Sequence, residues 1–203
     1  MVNVYDFDGT IYLNNSLKEF SIFCAKKKPI ILICLPIQMF FLLLFKLNIT
    51  KDLSHFYLFL RLLKKSEKEK LIKEFWDLNE HKLCKWYLDQ KRKDDIIVSA
   101  SPEFLIKEIA KRLGVSCIAS DISLETGKNF RTCRGKEKVT MFYENYPNAI
   151  ISKSYGNAKS DYYIMEEGQY GYFVKNITTD ESQITLHSQK SEAEYPVSAK
   201  KAI

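Results

Sequence analysis

The sequence predicts an α/β fold, a parallel β-sheet core flanked by helices with an all-helical insert, and three observations carry that expectation. A β-favouring run, Val2-Asn3-Val4-Tyr5, stops at two carboxylates, Asp6 and Asp8, followed by a Gly9-Thr10 turn. Later short apolar runs, 95–102 and 149–152, also end in small polar residues, and the first leads directly into a helical pattern. Between the first strand and the second, residues 14–91 carry helical periodicity.

Composition narrows the function classes. A chain of 203 residues with 46% hydrophobic content can bury one good core and a small accessory unit, and is not disordered. A net charge of +6 suits anionic substrates or an anionic membrane face without requiring either. No basic-aromatic motif of a nucleic-acid module is present, so nucleic acid is not an expected partner. The five cysteines are odd in number and contain no Cys-x-x-Cys pair, which fits reduced, mostly buried thiols in a cytoplasmic protein.

Taken in order, the first helix runs from about Ser16 to Ala25 and ends at Lys26-Lys27-Lys28-Pro29. The most apolar stretch follows, Ile30 to Phe45, interrupted by Pro36 and Gln38. Three readings stay open for it: a buried helix pair, a helix lying in a membrane interface, and a short transmembrane span. Leu53 to Leu63 and Glu67 to Leu88 repeat apolar residues at helical spacing, which is most simply the core of a helical bundle. A charged connector, 91–95, then leads to the strand ending Val98-Ser99-Ala100-Ser101-Pro102. The next helix spans Pro102 to Leu113, with Ser101 as the expected N-cap and Gly114 as the stop. Val115 to Ser120 reads as a strand, Ile122 to Phe130 as a hairpin turning at Gly127, and Gly135 as the start of another helix. Ala149 to Ser152 and Tyr170 to Val174 complete the strands, and the segment 181–203 reads as a polar tail without fixed structure.

The chemistry concentrates at strand ends. On an extended strand the i, i+2 spacing places Asp6 and Asp8 on the same side. Two crowded carboxylates repel, so a cation is expected, and oxygen-only ligands point to Mg²⁺. An acidic turn without further role accounts for the same five residues. Ser99, at the tip of a strand beside a helix N-terminus, has the makings of a phosphate cradle.

Asp6-Phe7-Asp8-Gly9-Thr10, then the helical insert, Ser99, the Gly135-to-Val139 helix start, and Gly156-Asn157-x-x-x-Asp161 follow one another in the order of the four motifs of the haloacid dehalogenase-like hydrolases, which the chain resembles over roughly its first 180 residues. The likeness is to the phosphoserine phosphatase-like branch, and Val98-Ser-Ala-Ser-Pro102 and the apolar insert look most like phosphatidylglycerophosphatase C-like proteins. The resemblance implies a Rossmann-like core at 1–13 and 92–180, a helical cap at 14–91, and a Mg²⁺-dependent phosphomonoester hydrolase. It implies that Asp6 is a nucleophile forming an aspartyl-phosphate and Asp8 a general acid and base. Ser99, the Ala100 amide and Gly9 would hold the phosphoryl group, and Lys138 would neutralise charge. Asp6, Asp8, Asn157 and Asp161 would hold the metal. Lys136 competes with Lys138 for its role, and Lys138 is favoured because Phe142 follows four positions on.

Two features qualify that picture. Asn157 stands where the family usually carries Asp, which costs the metal site a negative charge and leaves a weakly active or inactive phosphate-binding regulatory protein as the alternative. The chain offers Asn14-Asn15-Ser16 where phosphoserine phosphatases carry a substrate-selecting Glu, which disfavours phosphoserine. Expected partners are therefore a phosphorylated small molecule or a lipid-linked phosphate. Peripheral contact with the inner face of a membrane stays open.

Overall fold

The structure, a computed structural model, describes residues 1–47, 54–175 and 177–190. Seven strands form one sheet: β1 (Val2–Tyr5), β2 (Ile96–Pro102), β3 (Ser116–Ile122), β4 (Asn129–Arg131), β5 (Ile151–Gly156), β6 (Tyr170–Lys175) and β7 (Gln183–Gln189), in the order β4-β3-β2-β1-β5-β6-β7. The inner pairs are parallel, while β4 and β7 close the two edges antiparallel. β1 is central and covered on both faces: Val4 and Tyr5 are buried, and the one polar residue, Asn3, is buried with its amide donating to Asp95 Oδ1 at 3.0 Å. It pairs Tyr5 with Ile97 of β2 on one side and with Tyr155 of β5 on the other. The carboxyl ends of β1, β2 and β5 thus come side by side, the place where such sheets hold ligands.

The helical insert contains α1 (Ser16–Lys27), a 3₁₀ segment (Pro29–Cys34), α2 (Leu35–Lys46), a second 3₁₀ segment (Ser54–Leu62), α3 (Lys65–Asn79) and α4 (Lys85–Gln90). It shares one apolar core with the sheet, in which Phe7 lies between Tyr12 and Trp76 at ring separations of 5.4 and 5.7 Å. The Trp76 indole also donates to the Leu105 carbonyl at 2.8 Å. Phe7 therefore anchors the turn to the insert and leaves its two neighbouring carboxylates facing away. The remaining helices are α5 (Glu103–Leu113), α6 (Lys136–Asn145) and α7 (Tyr162–Glu167).

Several sequence expectations change. The Ile30 to Phe45 stretch is not a buried helix pair, since Ile30, Ile33, Met39 and Phe40 are all more than half exposed. Among the described residues no helix is long and apolar enough to cross a membrane. Pro36 sits in the first turn of α2, where its missing N–H costs nothing, so the break falls just before it. The Leu53 to Leu63 helix is a 3₁₀ segment from Ser54, and Leu53 lies outside the described residues. The Glu67 to Leu88 helix is interrupted because the chain returns to the first motif: the Leu13 amide donates to Lys82 at 3.2 Å and the Cys84 amide to Ile11 at 2.9 Å. Part of the polar tail is ordered as β7, whose backbone completes the edge of β6, and residues 191–203 lie outside the described residues.

Candidate active site

The loop following β1 is shaped by its glycine. Gly9 has φ +75°, a region costly for other residues, and its amide donates to the Tyr12 carbonyl at 2.8 Å. A Cβ there would lie 2.0 Å from the Asn157 amide nitrogen, so the missing side chain lets the loop after β5 close against the first motif. Gly156 acts similarly, since a Cβ on it would come within 2.5 Å of the Asp161 Cβ.

Three chain segments meet in a buried charge cluster. The Lys138 ammonium, on the first turn of α6, donates to Asp6 Oδ1 at 2.6 Å and to Asp161 Oδ1 at 2.8 Å, with its side chain only 1% exposed. Thr10 donates its hydroxyl to Asp6 Oδ2 at 3.0 Å. The amides of Asn157 and Ala158 donate to Asp161 Oδ2 at 3.2 and 3.0 Å. Burial alone would lower the Lys138 pKa, but the two carboxylates outweigh it and raise it. For Asp6 the balance goes the other way. Burial pushes its carboxyl up to about 6 from the ordinary 3.8 although Lys138 opposes the shift. Lys136 is exposed, its ammonium 5.6 Å from the centre of the Tyr163 ring.

Asp8 has a different set of partners. Its Oδ1 accepts from the Ser16 amide at 2.7 Å, one of the free N–H groups of the first turn of α1, and its Oδ2 accepts a short hydrogen bond from the Ser101 hydroxyl. Burial raises its pKa and these hydrogen bonds hold it back. Ser101 is therefore not the helix cap expected from sequence. β2 continues through Pro102, and the hydroxyl is turned to Asp8 rather than to the start of α5. Ser99 is buried in the middle of β2, three residues before the strand ends at Pro102 and not at the strand tip expected from sequence, and its oxygen accepts from the Ser101 amide at 3.1 Å. Ala100 beside it is exposed, and its carbonyl accepts from Ser120 Oγ at 2.7 Å. Ser120 Oγ in turn accepts from the Cys133 amide at 3.0 Å, tying the β2 tip to the segment that leads to Lys138. Thr10, Ser16, Ser101 and Ser120 are site residues that sequence reasoning missed. Only Thr10 carried a signal, its place in the first motif.

An apolar cavity of about 840 Å³ lies in the helical insert, lined by Asn15, Leu17, Ile22, Ile31, Leu32 and Tyr57 among others and by no residue of the charge cluster. Asn15 directly precedes the Ser16 amide that binds Asp8. The Asp8 charge also adds to the effect of burial in raising the pKa of the Tyr57 phenol.

A family model for haloacid dehalogenase-like hydrolases matches residues 4–166, a span that contains every residue of the charge cluster. The chain belongs to the haloacid dehalogenase-like hydrolases. No curated protein matches it in sequence. Among solved structures, this hydrolase is similar to a protein of unknown function from Bordetella pertussis Tohama I, with TM-score 0.66, 19% identity, and coverage of 81% of this chain and 85% of the other. It is similar to a haloacid dehalogenase family hydrolase from Salmonella enterica serovar Typhi, with TM-score 0.58, 11% identity, and coverage of 84% and 61%. A phosphoserine phosphohydrolase-like protein from Francisella tularensis gives TM-score 0.52, 19% identity, and coverage of 83% of each chain. At these identities the likeness is one of fold. Glu19, the nearest acidic side chain after the first motif, is engaged by Tyr12, Asn14 and Lys82 in this hydrolase.

Among the described residues no three His, Cys, Asp or Glu side chains are grouped to hold a metal. The oxygen-bearing side chains that meet here are instead the buried Asp6 and Asp161 carboxylates, which share Lys138, and the Asn157 side chain packed against Gly9. Such an all-oxygen set suits a hard cation, and the close approach that Gly9 permits keeps Asn157 beside the first motif.

Proposed function

We propose that this chain is a phosphomonoester phosphatase in which Asp6 is the nucleophile. The observation that carries the reading is the Lys138 ammonium shared by Asp6 and Asp161 at the carboxyl end of β1. Lys138 keeps the Asp6 carboxylate ionised and oriented in a buried setting that would otherwise protonate it. An Asp6 oxygen attacks phosphorus, the ester P–O bond breaks, and Asp8 gives its proton to the departing alkoxide. Burial, by raising the pKa of Asp8, favours the protonated form that this step needs. Water then attacks the aspartyl-phosphate, passes a proton to Asp8, and leaves phosphate and a regenerated Asp6 carboxylate. Ser99 and the Ala100 amide in the carboxyl half of β2 and the Gly9 turn after β1 hold the phosphoryl oxygens. Asp6, Asp161, Asn157 and the Asp8 carbonyl would hold Mg²⁺, which supplies charge neutralisation at the phosphoryl group. The apolar cavity, which reaches Asn15 one residue before the Ser16 amide that binds Asp8, supports a leaving group with an apolar body, which includes lipid-linked phosphates.

Turnover of para-nitrophenyl phosphate by the full chain tests this. Activity should require Mg²⁺ and fall to the uncatalysed background in Asp6→Asn. Equal rates for wild type and Asp6→Asn would overturn the proposal. Asn157 favours a second reading, a phosphate-binding regulatory protein, because one ligand charge is missing. Under that reading only Asn157→Asp would turn substrate over, whereas the phosphatase reading expects wild-type activity, with Asn157→Asp needing less Mg²⁺ for half-maximal rate.

A further inference from the structure

The first 3₁₀ segment and α2 present Ile30, Ile33, Ile37, Met39, Phe40 and Leu43 to solvent, with Ile33 and Met39 each 67% exposed. A surface helix ordinarily buries its apolar stripe and shows water its polar residues. α2 is apolar on its outer side as well as its inner one: Gln38, Phe41 and Leu44 are partly covered, Gln38 lining the cavity, while Met39, Phe40 and Leu43 face outward. Contiguous exposed apolar surface of this kind marks a docking site.

The surrounding charge says what docks. From Phe20 to Lys51 the sequence holds five lysines, Lys26, Lys27, Lys28, Lys46 and Lys51, and no Asp or Glu. Lys27 and Lys28 are pinned to Glu74 and Glu67 of α3 at 3.1 and 2.6 Å, which fixes the basic turn beside the apolar face, and Lys26 is exposed. An apolar face that follows directly on the basic Lys26–Lys28 turn matches a bilayer whose headgroups are anionic and whose interior is hydrocarbon. A helix of twelve residues rises about 18 Å, short of the roughly 30 Å of a hydrocarbon core. It is suited to lie in the interface rather than to cross it.

We infer that the face formed by the Pro29–Cys34 segment and α2 docks this hydrolase peripherally on an anionic lipid bilayer. Ile22, Leu32 and Gln38 line the cavity, and Leu32 and Gln38 lie in these same two elements, so docking brings the cavity to the lipid surface. The inference stands on the surface alone and holds whether or not the site turns phosphate over.

Vesicle flotation of the full chain tests it, with phosphatidylcholine vesicles compared with vesicles containing added phosphatidylglycerol. The protein should float with the anionic vesicles, less with phosphatidylcholine alone, and be released by salt. Met39→Ser and Phe40→Ser should each weaken partitioning roughly tenfold, from the apolar area each removes, without lowering the unfolding temperature. Lys26→Glu should weaken binding to the anionic vesicles only, and Asp6→Asn should float like wild type. Protein that stays in the soluble fraction, or flotation indifferent to both Met39→Ser and Phe40→Ser, overturns the inference. So does a dimer in sedimentation equilibrium that Phe40→Ser dissociates, because the face would then belong to a second copy.

Discussion

Replacing Lys138 with Met leaves an unbranched side chain one atom shorter and removes the ammonium that touches both buried carboxylates, at 2.6 and 2.8 Å. Breaking a buried ion pair by deleting one partner costs about 3–5 kcal/mol, against a total stability of about 5–15 kcal/mol, so the variant should fold with a reduced margin. The cost should depend on pH. Asp6 already titrates at about 6 in the folded protein against 3.8 ordinarily, so the folded state binds this proton more tightly than the unfolded chain. Stability from that group is present in acid and is lost as pH rises through the folded value. Without Lys138 the folded value rises further, because the ammonium is what opposed burial, and the loss extends to higher pH. Urea unfolding followed by circular dichroism at pH 5 and pH 8 measures this. The destabilisation relative to wild type should be smaller at pH 5, where Asp6 can remain a neutral acid and only the Asp161 pairing is lost, and approach about 3–5 kcal/mol at pH 8. Lys136→Met, at an exposed position, should change stability by less than about 0.5 kcal/mol at either pH. A Lys138→Met penalty that is the same at both pH values, or no larger than that of Lys136→Met, would refute the reasoning.

Three further outcomes follow from the geometry. Ser101→Ala removes a hydrogen bond that holds the Asp8 pKa down, so the alkaline limb of the kcat/KM profile should move to higher pH; an unmoved limb would show that Asp8 does not supply the proton. Gly9→Ala forces a side chain into a left-handed turn and against Asn157, and should cost about 1–3 kcal/mol in thermal unfolding and raise the Mg²⁺ concentration needed for half-maximal rate in the turnover assay. Phe75→Ala empties a fully buried position between Phe20 and Trp76, at ring separations of 5.5 and 4.9 Å, and should destabilise by about 3–5 kcal/mol in urea.

What could be read from the sequence was local. The Asp-x-Asp-Gly-Thr turn, the small residues closing β2 and the glycine stop of α5 each depend on neighbours within a few positions, where backbone sterics and turn chemistry decide the outcome. Periodicity then marked which stretches were strand or helix, and the order of motifs supplied the family. Failures of the local reading came where a distant partner competed with a local one. Ser101 is an ordinary helix cap by position, yet its hydroxyl is drawn to Asp8, a carboxylate acceptor 93 positions away. The helix expected through Leu88 breaks because Leu83 and Cys84 pair with the first motif, and β7 forms because β6 offers an unpaired edge.

By itself the sequence determined the parallel core, the helical insert and the residue types of the site, since these follow from hydrophobic period and turn preference. The meeting of Lys138 with Asp6 and Asp161, the redirection of Ser101, and the outward face of α2 were decided by tertiary structure alone. Apolar spacing records that a residue wants to leave water, and a carboxylate that it wants a counter-charge. Which partner satisfies each is set by the packing of segments far apart in the chain.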